Sequence, residues 1–173
     1  MAVRTDSFDL RRLELSSGAG RRFELYTAID PLELGGERYA VTSNPIPVRL
    51  DVSRMTGSGY ALRLRFSAII EGQCMRCLKE AAPAFEVDAR DISQPGAGEE
   101  LESPYVEDQT LDLAAWARDA LLLTLPAQIV CSTDCLGLCP VCGTDLATAG
   151  SEHAHERQAD PRWAKLSELR FTE

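Results

Sequence analysis

Four of the six cysteines in this chain fall within twelve residues, in the segment CSTDCLGLCPVCGTDL (131–146). The other two sit far upstream, in GQCMRCLKE. The N-terminal stretch MAVRTDSFDLRRLEL has no apolar core of the kind a secretory signal carries. No run of about 18 apolar residues occurs, so no membrane span is expected. The expected location is the cytoplasm, where clustered cysteines more often serve as metal or redox groups than as structural disulfides.

Cys139-Pro-Val-Cys142-Gly143 is the most specific piece. Two thiolates must converge on a metal about 2.3 Å away, and a two-residue gap folded as a tight knuckle allows this. Gly143 can adopt positive φ and turn backbone N–H groups toward the sulfurs. A knuckle is half a tetrahedral site. His153 and His155, the only histidines in the chain, supply the other half, for a Cys2His2 zinc site. Cys74-Met-Arg-Cys77 is a second half-site, whose natural complement is Cys131 and Cys135. One alternative has Cys135 joining the knuckle in place of a histidine, leaving a single zinc. Free thiols, a disulfide and surface histidines are the plainer alternatives.

A redox role would need Cys-x-x-Cys opening a helix inside a βαβ unit. CMRCLKEAAPAF reaches Pro83 after a few residues, so that context is missing. A catalytic zinc keeps one position open, whereas two sets of four protein ligands are closed. With no glycine-rich phosphate loop and no paired catalytic Ser or Asp, the expectation is a non-enzyme with structural zinc.

The first half reads as β structure. In YALRLRFSAIIEG, Tyr60, Leu62, Leu64, Phe66, Ala68 and Ile70 share one face, and Arg63, Arg65 and Ser67 the other. VRLDVSR is a partner strand, with Val48, Leu50 and Val52 inward and Arg49, Asp51 and Ser53 outward; TGSG between them supplies the hairpin turn. AFEVDARDI (Phe85, Val87 and Ala89 inward) and RRFELYTAI add further strands. Residues 93–109, rich in Pro, Gly and acids without periodicity, read as an exposed connection. LDLAAWARDALLLTLP is an amphipathic helix capped by Thr110 or Asp112 and stopped by Pro126. Leu113, Trp116, Ala117, Ala120, Leu121 and Thr124 form its inner stripe. Asp160 and Pro161 mark the start of another helix.

The expected class is α+β: an antiparallel sheet or partial barrel with one or two packed helices and a zinc-clamped C-terminal segment. The expected division is a β-rich domain, 1–125, and a Cys/His-rich segment, 126–173. With 45% hydrophobic residues, a substantial core is within reach.

The net charge of −9 argues against coating nucleic acid by bulk charge. That charge is uneven. Residues 86–112 hold nine acids and a single base, Arg90. Residues 49–79 hold Arg49, Arg54, Arg63, Arg65, Arg76 and Lys79 against Asp51 and Glu71. Arg49, Arg63 and Arg65 on one strand face, with Arg76 and Lys79 just beyond, could meet RNA phosphates. Outward charges on strands more usually serve only solubility. The acidic stretch could face a basic protein partner. No aromatic stacking platform for reading RNA sequence is evident.

CMRCL after a long strand, then LDLAAWARDALLLTLP, CSTDCLGLCPVCGTDL and DPRWAKL, resemble in type and order the YceD-like large ribosomal RNA subunit accumulation proteins, a bacterial and plastid family. The resemblance spans roughly residues 45 to 170. That family usually carries a further Cys-x-Cys-like pair where His153 and His155 stand here, and an Asn-Leu-Asn ending where this chain has TDL. Some relatives lack the Gly-Leu-Cys-Pro knuckle yet keep the pair matching Cys74 and Cys77, which suggests two separable sites. The resemblance implies a β-rich, noncatalytic factor acting in accumulation of large-subunit (23S) ribosomal RNA, on that RNA or a pre-ribosomal particle, with basic ribosomal proteins as partners for the acidic stretch. Competing expectations are a redox-regulated, chaperone-like zinc module and an acidic protein–protein adaptor.

Overall fold

The computed structural model describes residues 4–150, 152–155 and 162. The helix expected from Asp160 and Pro161 lies outside the described residues. In chain order the strands are β1 (Ser7–Asp9), β2 (Gly20–Thr27), β3 (Leu32–Leu34), β4 (Glu37–Val41), β5 (Ile46–Arg54), β6 (Tyr60–Gln73), β7 (Glu80–Ala81), β8 (Ala84–Ser93), β9 (Val106–Glu107) and β10 (Thr110–Asp112). Two helices follow, α1 (Leu113–Thr124) and the single turn α2 (Leu146–Ala149). The described chain is thus β-rich and antiparallel, with few helices. It divides into two compact units, Met1–Cys135 and Leu136–Glu173.

Strand β6 organises the first unit. Its fourteen residues alternate buried and solvent-facing side chains along most of its length, so one face must find cover. It pairs with β5 and β8 along its first part and with β4 and β7 toward its end. With β2 outside β5 and β3 outside β4, this makes a seven-stranded sheet. A second sheet runs β1-β10-β9.

The core forms on the inner face of the large sheet, where Leu50, Leu64 and Ile70 are fully buried with Leu111, Leu113 and Leu121. Helix α1 covers this face with Leu113, Trp116, Ala117, Ala120 and Leu121. Asp112 caps it, accepting a hydrogen bond from the Ala115 N–H at 2.9 Å. Thr110, the alternative cap, belongs instead to β10, where the β1 pairing holds it extended. The chain leaves α1 at Leu125, just before Pro126.

Residues 93–109 are more structured than their composition suggests. They contain a 3-10 turn at Glu99–Leu101 and strand β9. Ser103 is buried and hydrogen-bonded to Asp91. Tyr105 stacks on Trp116 with ring centroids 6.2 Å apart. Two side chains thus pin a connection that has no periodicity of its own.

Candidate metal centres

At the end of β6 the chain turns sharply. The Leu78 N–H reaches the Cys74 carbonyl at 2.9 Å, and the Cys74 N–H reaches the Lys79 carbonyl at 2.8 Å. This closes the Cys-x-x-Cys stretch into a knuckle with both sulfurs on one side. The chain returning from α1 is fastened beside it by a Met75 N–H to Ile129 carbonyl bond of 2.8 Å and by Arg76 to the Gln128 side chain at 3.0 Å. Arg76 also donates to the Cys135 carbonyl.

These bonds bring four thiols together. The Cys74 and Cys135 sulfurs lie 3.7 Å apart, and those of Cys77 and Cys131 3.6 Å. All four sulfurs lie within 4.8 Å of one another. Zinc–thiolate bonds of about 2.3 Å in a tetrahedron put sulfurs about 3.8 Å apart, so the set fits a zinc ion and leaves no open position. None of the six cysteines is in a disulfide. Cys74 and Cys77 are buried against Ala81 and Val130, Cys135 is half-buried and Cys131 exposed.

The pocket also prepares charge. Burial would push the Cys74 thiol up, yet the backbone N–H groups of Cys77, Arg76 and Cys131 outweigh it and bring the thiol down to about 6. Cys77 moves the other way. The Lys79 N–H favours its thiolate, but burial and the neighbouring Cys74 sulfur prevail. Without metal, one of the pair ionises before the other.

The second unit builds its own cluster. The Cys139 N–H bonds the Thr144 carbonyl and the Gly143 N–H bonds the Cys139 carbonyl, each at 2.8 Å. Gly143 takes φ of 72°, which a side chain would resist. The N–H groups of Cys142 and Val141 lower the Cys139 thiol. The Thr144 hydroxyl, 3.1 Å from the Cys142 sulfur, lowers that thiol most. Asp145 caps α2 and accepts from the Ala147 N–H.

His153 Nε2 lies 3.5 Å from the Cys142 sulfur and 3.1 Å from His155 Nε2. Cys139, Cys142, His153 and His155 together present four donor atoms within 4.8 Å of one another. The mixed edges of a Cys2His2 zinc tetrahedron, about 3.5 Å for sulfur to nitrogen, match this spacing. Of the four, Cys142 and His155 are exposed, so this set is more open to solvent than the all-cysteine one.

The arginine face is less basic than the sequence suggests. Arg49 pairs with Glu24 at 2.8 Å, Arg63 with Asp88 at 2.5 Å, and Arg65 with Asp51 at 2.7 Å. Asp51 also holds Arg22, at 2.6 Å. Arg76 is turned to Gln128 and Cys135. Lys79 contributes its carbonyl to the knuckle and lies between β6 and β7, off the strands that carry Arg49, Arg63 and Arg65. The pairing was not visible in the sequence because Glu24 and Asp88 lie on strands about 25 residues from their partners. Among the described residues, no helix is long and apolar enough to cross a membrane.

The sequence model described as Large ribosomal RNA subunit accumulation protein YceD matches residues 62–170. An uncharacterized protein of Mycobacterium tuberculosis is 36% identical over 169 residues, covering 93% of this chain and 79% of its own length. An uncharacterized protein of Mycobacterium leprae is 35% identical over 103 residues, covering 56% of this chain and 46% of its own. The uncharacterized protein YlbN of Bacillus subtilis is 29% identical over 115 residues, covering 62% and 66%. No solved structure matches. On these matches, which span well over half of its length, the chain belongs to the YceD family of large ribosomal RNA subunit accumulation proteins.

Proposed function

We propose that this protein is a noncatalytic factor for accumulation of large-subunit ribosomal RNA, with its C-terminal segment built around two structural zinc ions. One observation carries the reading: a chain of this family assembles eight soft donors into two closed sets of four. Cys74, Cys77, Cys131 and Cys135 would hold one zinc, and Cys139, Cys142, His153 and His155 the other. Zinc there supplies folding energy, about 10–16 kcal/mol of apparent binding in zinc-finger peptides. The first set fastens the segment after α1 to the end of β6, and the second gives order to a short, loop-rich tail. On this reading the β-rich part, 1–125, is the working body and 126–173 its metal-built extension.

Cells lacking the protein should under-accumulate large-subunit relative to small-subunit RNA, and a plasmid copy should restore the ratio. An unchanged ratio under both normal growth and stress would overturn the role. Direct contact through Arg49, Arg63 and Arg65 would require phosphates to displace Glu24, Asp88 and Asp51. Crosslinking to RNA with ultraviolet light in cells separates direct contact from an indirect role through a precursor particle.

A second reading, a redox-regulated zinc module, is favoured by the exposure of Cys131 and Cys142. Zinc release by mild peroxide with new apolar exposure would support it, and zinc retained under peroxide would remove it.

A further inference from the structure

We propose that the open edge of β8 is a docking groove for an extended, basic segment of a partner protein, which adds to the large sheet as a further strand. This goes beyond the zinc and RNA reading and does not depend on it.

In the β6–β8 pair the register is unbroken from Tyr60↔Ser93 to Ile69↔Ala84. The Ile70 N–H continues it to the Pro83 carbonyl at 3.1 Å. Antiparallel pairs alternate between bonded and non-bonded residues. Residues opposite even positions of β6 therefore bond inward, and Ala84, Glu86, Asp88, Arg90 and Ile92 aim their N–H and C=O away from β6. The Ile92 N–H is taken by the Asp91 side chain at 2.8 Å. Among the described residues, the N–H groups of Glu86, Asp88 and Arg90 have no partner.

That edge does not face bulk solvent. Helix α1 runs beside it, and the two enclose a groove of about 400 Å³. Val87, Ala89, Trp116 and Ala120 line its apolar side, with Leu123 at the wall, 87% exposed. Strand and helix thus form the two sides of a slot that fits a single extended chain, the recognition mode in which main-chain bonds give affinity.

The charge of the slot selects the occupant. Edges are commonly guarded by proline, bulges or short length. β8 has ten residues, no proline and an unbroken register, so charge is its remaining guard. The segment carrying that edge holds nine acids against Arg90. A second copy would bring the same acidic edge and be repelled. A strand alternating basic and apolar residues would set its cations beside Glu86 and Asp88 and its apolar side chains beside Val87 and Leu123, following the period of two.

The test uses the full-length, zinc-loaded protein and a fluorescein-labelled peptide of alternating Lys and Val. Saturable binding is expected, weakened by salt and absent for the matching Glu-Val peptide. Glu86→Pro removes only an N–H that points away from β6, so the urea midpoint should hold while affinity falls about tenfold or more. Leu123→Ser, at an exposed position, should weaken binding independently. N-methylation of alternate peptide residues, which spares charge but blocks strand pairing, should do the same. Equal binding by the N-methylated peptide would reduce the contact to bulk electrostatics and overturn the proposal, as would no saturable binding. A wild-type dimer dissolved by Glu86→Pro would assign the edge to a second copy instead.

Discussion

The ring of Tyr39 lies so close to the backbone of Gly72 that a Cβ there would sit 2.3 Å from the ring's Cδ1. Tyr39 is fully buried, and its hydroxyl donates to the Gln73 carbonyl at 2.7 Å. The ring is therefore anchored at both ends and cannot yield. It sets the last residues of β6 just before Cys74.

Gly72→Ala should destabilise the protein by about 1–3 kcal/mol through overpacking. Urea unfolding would show a lower midpoint, and because Cys74 follows two residues on, zinc affinity should fall with it. Tyr39→Phe, which loses only the hydrogen bond, should cost about 1 kcal/mol. Equal midpoints for Gly72→Ala and wild type would show that the ring moves after all.

Removing the cap of α1 isolates a local contribution. Asp112→Ala leaves the Ala115 N–H without its acceptor and should cost about 1 kcal/mol, whereas Asp112→Asn should retain most of it. Circular dichroism during urea unfolding measures both.

Asp51 makes stability depend on pH. Burial works against its carboxylate, but Arg22 and Arg65 outweigh burial and hold it below the usual carboxylate range. A depressed folded value means that stability is fully present above the unfolded value of about 3.9 and is lost as pH falls through the lower folded value. The gap between urea midpoints at neutral pH and near pH 3 should narrow in Asp51→Asn. A gap of unchanged size would show that the two arginines do not favour the charged form.

How far the sequence could be read depended on element length and on where partners lay. β6 is fourteen residues long, and its alternation of Leu62, Leu64, Phe66 and Ala68 against Arg63, Arg65 and Ser67 is unambiguous. The α1 stripe repeats over three turns, so its face was legible except at Thr124, which is exposed at the helix end, and Asp112 was one of two caps the sequence offered. Strands β1, β3, β9 and β10 have two or three residues each, too few for any period to register. They exist because tertiary pairing extends them. The ion pairs of Arg49 and Arg63 with Glu24 and Asp88 depend on strand register, so a face that reads as basic is largely compensated. The proximity of the cysteine knuckles to their complements was suggested by spacing, because two half-sites separated by a strand end and a helix have few ways to meet.

Metal removal should act on the two sets unequally. The Cys142 and His155 set is the more exposed and should lose zinc first to a chelator, while the set around the buried Cys74 and Cys77 should exchange slowly. Two phases of zinc release, the faster abolished in Cys142→Ser, are expected.

The most direct measurement is the zinc content of the purified protein by native mass spectrometry, in wild type, Cys74→Ser, Cys142→Ser and the double variant. Two separate structural sites predict two zinc ions per chain in wild type, one in each single variant and none in the double. A single zinc in wild type that either substitution abolishes would contradict the account, because all the donors used would then belong to one centre.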